Sequence, residues 1–242
     1  MKKLLLSVTL VFACITLFAQ KPEVTVGAYS GLFRYSGTSS ESVSFINASS
    51  DNNAIKSYTN NPYGNKFGIG YGIGGQAQLV GKGGFLVGLQ AAYEQLKSKI
   101  DINRVSSFVP VSSGPANNFD ANGSTALKNN IININPYIGY RIPLAKIKLD
   151  ILAGTDIGFI SSTHEKGSAK GSNGDTYTTD LDRTTVTEDF RLRIGFVASL
   201  NKFSLNASYA NGISNYMGGY IGGGSHNAHS KVIRIGLGYR IF

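Results

Sequence analysis

The stretch KVIRIGLGYRIF, Lys231 to Phe242, alternates between two kinds of residue along its length. Ile233, Ile235, Leu237, Tyr239 and Ile241 fall on one set of positions. Arg234, Gly236, Gly238 and Arg240 fall on the other. A period of two is the pattern of a β-strand whose two faces meet different surroundings. Chain termini usually fray, so an apolar strand running to Phe242 is expected to be held against a neighbouring strand.

The same period recurs through the chain, and no 3.6-residue period is sustained. Seven further segments carry it. EVTVGAYSGLF opens the series, with Val24, Val26, Ala28 and Leu32 on one face. KFGIGYGIGGQAQL sets Phe67, Ile69, Tyr71, Ile73, Ala77 and Leu79 against a stripe of glycines and glutamines. FLVGLQAAYEQL, NIININPYIGYRI, KIKLDILAGTDIGFI, DFRLRIGFVASL and FSLNASYA follow. Their connections alternate in length. Tight links (VGKGG, PLAK, LNK) alternate with long polar stretches near 36–65, 98–128, 162–185 and 215–229. Long irregular connections are uncommon in compact domains. Here they all fall at one end of an up-and-down meander. The reading is all-β: an eight-stranded antiparallel up-and-down barrel with four long loops at one end, since closure removes sheet edges.

At the other terminus, MKKLLLSVTLVFACITLFAQ combines Lys2 and Lys3 with an apolar run and small residues at Ala19-Gln20. Residues 1–20 are expected to be a cleaved signal peptide and 21–242 a single barrel domain. Cys14 is the only cysteine, so the remaining chain would hold no thiol chemistry. The formal charge of +9 falls to +7 without Lys2 and Lys3. No basic cluster accompanies that excess, and nucleic acid is not an expected partner.

A closed barrel can turn its apolar face inward, as soluble ligand carriers do, or outward toward lipid. The opposite face carries glycines, asparagines and charges of both signs, among them Glu94, Arg141, Asp150, Asp156, Arg191, Arg193 and Arg234. That inventory suits a narrow interior filled by ion pairs, and a soluble exterior would hold more Lys and Glu. Aromatic residues also gather near both ends of the apolar face. Phe85 and Tyr93 lie about 20 Å apart along a membrane normal for a tilted strand. That nearly covers an apolar band of about 25 Å. A transmembrane barrel is therefore expected.

The last strand then adds a resemblance. Arg234, Gly236, Tyr239 and Ile241, with Phe242 one residue beyond the strict register, look like the C-terminal assembly signal of bacterial outer-membrane barrels. In architecture the chain resembles the small OmpA/OmpX-type and PorT-like β-barrel families of Gram-negative bacteria. The resemblance implies a location in the cell outer membrane, with tight turns toward the periplasm. It implies outer-membrane lipid and lipopolysaccharide as surroundings, and the barrel-assembly machinery and periplasmic chaperones as partners during insertion. A surface or periplasmic protein partner of unknown identity completes the list.

Candidate chemistry is sparse. Gly70, Gly72 and Gly75 match G-x-G-x-x-G with Glu94 downstream, but a strand continues where the dinucleotide motif needs a helix N-terminus. His164, His226 and His229 lie in expected loops, and Ser225 and Ser230 flank the last two. A lipid-modifying Ser-His enzyme at the outer rim is thus the second reading, and a soluble lipocalin-like carrier the third. A positioned base and an oxyanion site are not evident. Zinc would want three or four ligands at rigid spacing. No catalytic, cofactor or metal residues are expected. The expected work is structural, surface-interacting or secretion-supporting, with no open pore, because eight strands leave an interior just wide enough for side chains.

Overall fold

The computed structural model describes residues 19–49, 57–108, 117–218 and 226–242. Every regular element among them is a strand. The eleven strands are β1 (Ala19–Ser36), β2 (Val43–Ser49), β3 (Tyr58–Thr59), β4 (Lys66–Gly81), β5 (Phe85–Phe108), β6 (Asn117–Leu144), β7 (Ile147–Gly171), β8 (Thr176–Asp182), β9 (Glu188–Leu200), β10 (Phe203–Gly212) and β11 (His229–Arg240). No helix of the described residues is long and apolar enough to cross a membrane, which says nothing of strands. Residues 1–18, most of the expected signal peptide, lie outside the described residues.

The antiparallel pairings form a circuit. β1 pairs with β4, then β4 with β5, β5 with β6, and β6 with β7. β7 pairs with β9, β9 with β10, β10 with β11, and β11 returns to β1. The sheet is ring-like, and those ladders leave no unpaired edge. The last ladder continues to the final residue, where Val24 N donates to Phe242 O at 2.8 Å and Ile241 N to Val24 O at 2.9 Å.

The strand count differs from the sequence expectation of eight, and the added strands lie in two of the four stretches read as loops, while a third lengthens existing strands. β2 and β3 form inside 36–65. β2 then runs parallel to the outer part of β5, from Val43↔Asp101 to Ser49↔Phe108. The stretch 98–128 is the continuation of β5 and β6, which stay paired out to Ser107↔Asn117. The stretch 162–185 is the end of β7 paired with β8. Polar composition suggested loops there, yet outer Leu96, Ile100 and Ile102 keep the same alternation as the inner strand. β5, β6 and β7 therefore reach 24, 28 and 25 residues, against 13, 10 and 12 for β9, β10 and β11. At about 3.3 Å per residue, the strands of one wall of the ring are about twice as long as those of the other.

Within the ring the burial pattern is inverted relative to a water-soluble sheet. Ile69 and Leu237 on the outside are each 69% exposed, while Asp156 and Arg191 inside are fully buried. The glycine stripe of β4 is explained by its neighbour: a Cβ at Gly72 would overlap the Tyr29 ring. Gly70 and Gly72 are thus strand glycines, and no helix follows them. The tight turns need left-handed backbone at Ala145 (φ 51°) and Asn201 (φ 55°), a conformation that Asn tolerates better than Ala. One bulge resets a face: the β6–β7 register slips between Asn130↔Ser162 and Ile131↔Ile160. Below it Asp150, Asp156 and Gly158 of β7 point inward, and above it Thr163, Glu165 and Ala169 do. An odd shift exchanges the two faces of a strand.

Candidate functional site

The interior of the ring is layered. At the tight-turn end, Arg141 of β6 and Asp150 of β7 are direct cross-strand partners. Arg141 donates through Nε and Nη2 to both Asp150 oxygens at 2.7 Å. Its Nη1 and Nη2 also donate to Glu23 of β1 at 2.9 and 2.8 Å. One guanidinium thereby makes two bidentate pairs, the strongest geometry available to it, and ties β1 to the far wall. Arg240 Nη1 adds a contact to Glu23 at 2.5 Å. Gln78 donates to Glu23 at 2.8 Å and accepts from the Tyr137 hydroxyl at 3.0 Å.

Higher in the ring a second network joins five strands. Arg234 of β11 reaches Glu94 of β5 and Asp156 of β7, each at 2.9 Å. Arg191 of β9 donates to Asp189 at 2.8 Å and lies 3.5 Å from Asp156. Arg193 bonds Gln90 at 2.8 Å and Asp156 at 3.3 Å. Tyr29 donates to Glu94 at 2.6 Å. Three carboxylates face three guanidiniums, so charge balances inside a water-poor space. That balance is what makes burial of so many ions tolerable.

Above this network the interior turns apolar. Phe33, Tyr35, Leu96, Leu127, Ile131 and Val232 are at most 2% exposed. The rings of Phe33, Tyr35, Tyr63 and Tyr216 meet edge to face with centroids 4.9–6.0 Å apart. Tyr216, in the turn after β10, also donates to Asp189 at 2.6 Å. Burial, and then the Asp189 carboxylate, hold its phenol well above the ordinary value of 10.0. Two small polar cavities remain, one of about 40 Å³ running from Tyr29 past Glu23 to Asn201 and Lys202 at the tight turn, the other of about 30 Å³ lined by Gln76, Gln90, Asn135, Arg193 and Asn206. Each has room for a few waters.

The charged residues singled out in the sequence thus fall into two groups. Glu94, Asp156, Arg191, Arg193 and Arg234 lie together, whereas Arg141 and Asp150 belong to the separate layer built on Glu23. Glu23 and Asp189, the partners that organise each layer, carry the same inward phase in the sequence, but their role depends on pairing across the closed ring. The aromatic layer is absent from the sequence reading. The signal for it, inward-phase Tyr35, Leu96, Leu127 and Ile131, was present but lay at the edges of the stretches read as loops.

The remaining candidates are placed as follows. Gly236 packs against Tyr29. Tyr239 meets Phe203 edge-on at 5.4 Å, and Ile241 and Phe242 are 57% and 70% exposed. Ser225 lies outside the described residues. Ser230 is buried and donates to Asp189 at 3.0 Å. Its neighbour His229 points the other way and contacts the Ser214 carbonyl at 2.9 Å. His226 lies 3.4 Å from the Ser39 hydroxyl. His164 sits between Asp180 and Asp182 at 2.9 and 2.8 Å. Among the described residues no cluster of three or more His, Cys, Asp and Glu side chains is disposed to hold a metal ion.

No family model matches the chain, and no curated protein matches it. Several solved structures are similar over most of their length. One is Ail, the attachment invasion locus protein of Yersinia pestis, in complex with the heparin analogue sucrose octasulfate. It has 12% identity, covers 91% of this chain and 97% of that one, and superposes with a TM-score of 0.32. Another is Neisserial surface protein A, with 11% identity, coverage of 91% and 99%, and a TM-score of 0.35. A third is the translocator domain of the autotransporter NalP from Neisseria meningitidis, with 11% identity, coverage of 90% and 88%, and a TM-score of 0.33. At these scores they remain likenesses.

Proposed function

We propose that the chain is an integral protein of a bacterial outer membrane. In this reading the eight-stranded circuit of β1, β4–β7 and β9–β11 is a transmembrane barrel, and the outer parts of β5–β7 with β2, β3 and β8 form a surface-interaction module. The observation that carries the reading is the inverted burial. Ile69, Ile73, Leu89, Ile138, Ile194 and Leu237 stand 50–69% exposed around a charged interior. An exposed apolar surface running around a whole ring is untenable in water and natural in lipid. Phe85, Tyr140, Phe203 and Tyr239 at one end, and Phe67, Tyr93, Phe159 and Phe190 at the other, suit the two lipid–water interfaces.

The barrel carries no open pore in this proposal, because two ionic layers and an aromatic layer fill the interior. It carries no catalytic step either: Ser230 is engaged by Asp189 and faces away from His229. The last strand, with Gly236, Tyr239, Ile241 and Phe242, serves the assembly machinery during insertion, with periplasmic chaperones upstream. The surface module recognises a partner outside the cell.

The test is reconstitution. Urea-unfolded protein diluted into phosphatidylcholine vesicles should fold, float with the vesicles and show heat-modifiable migration. Planar bilayers holding it should show no steady porin-sized conductance. A stable, monodisperse monomer in detergent-free buffer would overturn the membrane reading. Reproducible large channels would overturn the sealed interior.

A further inference from the structure

One cavity of the ring is lined by buried donors with no acceptor. It is the cavity of about 30 Å³ between β6, β7, β9 and β10. Asn135 of β6 and Ser208 of β10 line it, and they are 4% and 9% exposed. Asn135 Nδ2 and Ser208 Oγ have no hydrogen-bond partner among the described residues. Such groups are rare in folded proteins, because an unmet buried donor costs its desolvation. Arg193 of β9 lines the same cavity. Its bonds to Gln90 and Asp156 both leave from Nη1, so Nε and Nη2 remain. Two glycines make the room. Gly154 is opposite Arg193, and a Cβ there would stand 3.0 Å from Asn135 Nδ2. Gly195 is opposite Ser208, and its missing side chain leaves the Ser208 hydroxyl uncovered.

Charge favours a negative ligand there. Asp156 is shared by Arg191, Arg193 and Arg234. Arg191 also has Asp189, and Arg234 also has Glu94. Arg193 has no second carboxylate among the described residues. It is the least compensated guanidinium of its layer, and a buried ion needs partners. The other cavity supplies a way in. Gln76, Gln90 and Asn206 line both cavities, and the larger one continues to Lys202 at the tight turn. At that end Glu23 and Asp150 offset Arg141 and Arg240, which leaves Lys148 and Lys202 as surplus positive charge.

We infer that the cavity at Arg193, Asn135 and Ser208 binds one small monovalent anion of the halide class, admitted from the tight-turn end. Three groups able to donate, one of them cationic, suit a ligand that only accepts. A water would have to place two protons of its own as well. A volume of about 30 Å³ favours a monatomic ion over sulfate or phosphate. The ionic and aromatic layers above make the route a dead end, so the site suits a sealed interior. It depends on the inside of the ring alone and not on what the outer face meets.

The test is a chloride titration of the full chain folded in neutral detergent micelles, read by the chloride nuclear magnetic resonance line width at constant ionic strength. The wild type should broaden the line saturably, and bromide should displace the chloride while sulfate does not. S208A removes a hydroxyl that holds no other partner, so it should fold normally. G195A fills part of the cavity without a clash, since its Cβ would stand 3.5 Å from Ser208 Cβ. Each should bind chloride about tenfold more weakly, the worth of one hydrogen bond to a charged group. The control K82Q, at a tight turn away from both cavities, should bind like wild type. Absence of saturable broadening in the wild type would mean that the cavity holds water only, and overturns the inference. So does unchanged binding in both S208A and G195A, or displacement by sulfate as effective as by bromide, which would move the site to the lysines at the mouth. Protein that folds in detergent-free buffer is titrated in the same way, so failure of the membrane reading and failure of the anion site give different results.

Discussion

Two regions of the molecule share the same strands and obey opposite rules. In the lower part of β5, Phe85, Val87, Leu89, Ala91 and Tyr93 face outward, while Gln90 and Glu94 face the interior. Further along the same unbroken strand, Gln95, Lys97 and Lys99 face outward, and Leu96, Ile100 and Ile102 are buried. β6 does the same, with Ile138, Ile134 and Ile132 giving way to Asn130 and Lys128. Backbone pairing is continuous across the change. What reverses is the polarity of each face, and it reverses at one height on neighbouring strands. A strand carries two surfaces and its surroundings decide which of them is hidden. An exposed apolar face outside and ions within describe the lower region. A polar face outside and an apolar core of Ile46, Ala48, Ile100, Ile102, Val105 and Ala169 describe the upper one.

The largest expected effect breaks the lower region from inside. Glu94→Ala leaves Arg234 and Arg191 with surplus buried charge, and losing one partner of a buried pair costs about 3–5 kcal/mol. Urea unfolding in phosphatidylcholine vesicles should show that loss. An unchanged midpoint would mean water reaches the layer freely.

The next effect tests the exterior by exchanging like for like. Leu89→Lys lies midway between Phe85 and Tyr93, where a lysine facing lipid costs about 2–4 kcal/mol. Lys97→Leu, eight residues along the same face, should cost under about 1 kcal/mol. Equal costs at the two sites would erase the boundary between the regions.

A smaller effect should be confined to the upper region. Glu165 is fully buried and accepts from the Thr59 amide and hydroxyl, both at 2.7 Å, while Arg183 lies 3.3 Å away. It is the tie between β3 and β7. Glu165→Ala leaves those donors unmet, at about 1–3 kcal/mol. Hydrogen exchange should quicken over β2 and β3 while the ring amides of β9–β11 keep their protection. Global loss of protection would show that the two regions unfold as one.

The smallest concerns pH. Lys166 and then His164 hold the Asp180 carboxyl below its ordinary 3.8. A lowered folded value makes the contribution present above the ordinary range and lost as pH falls through the lowered one. Protonation of Asp180 should therefore leave exchange over β8 unchanged from neutral pH down to about 5, and Asp180→Asn should remove the Asp180 share of any acid dependence below the ordinary range. Sensitivity of Asp180 near neutrality would contradict that sign.

Period-two alternation, the unequal connections and the charge inventory were legible in the amino-acid order, because side-chain direction along a strand is fixed by local backbone geometry. They gave an all-β meander, its tight turns and the residues that share a face. Ring closure decided the rest. Glu23 meets Arg141 only because β1 and β6 stand across one narrow interior, and Arg234 meets both Glu94 and Asp156 for the same reason. The split into two ionic layers, the aromatic layer around Tyr35 and Tyr216, and the docking of β2 on β5 all depend on contacts between residues far apart in the chain, whereas β8 is a local hairpin with the end of β7. Local pattern specifies a face. Which groups that face meets is set by pairing and register, and these exist only once the sheet has closed.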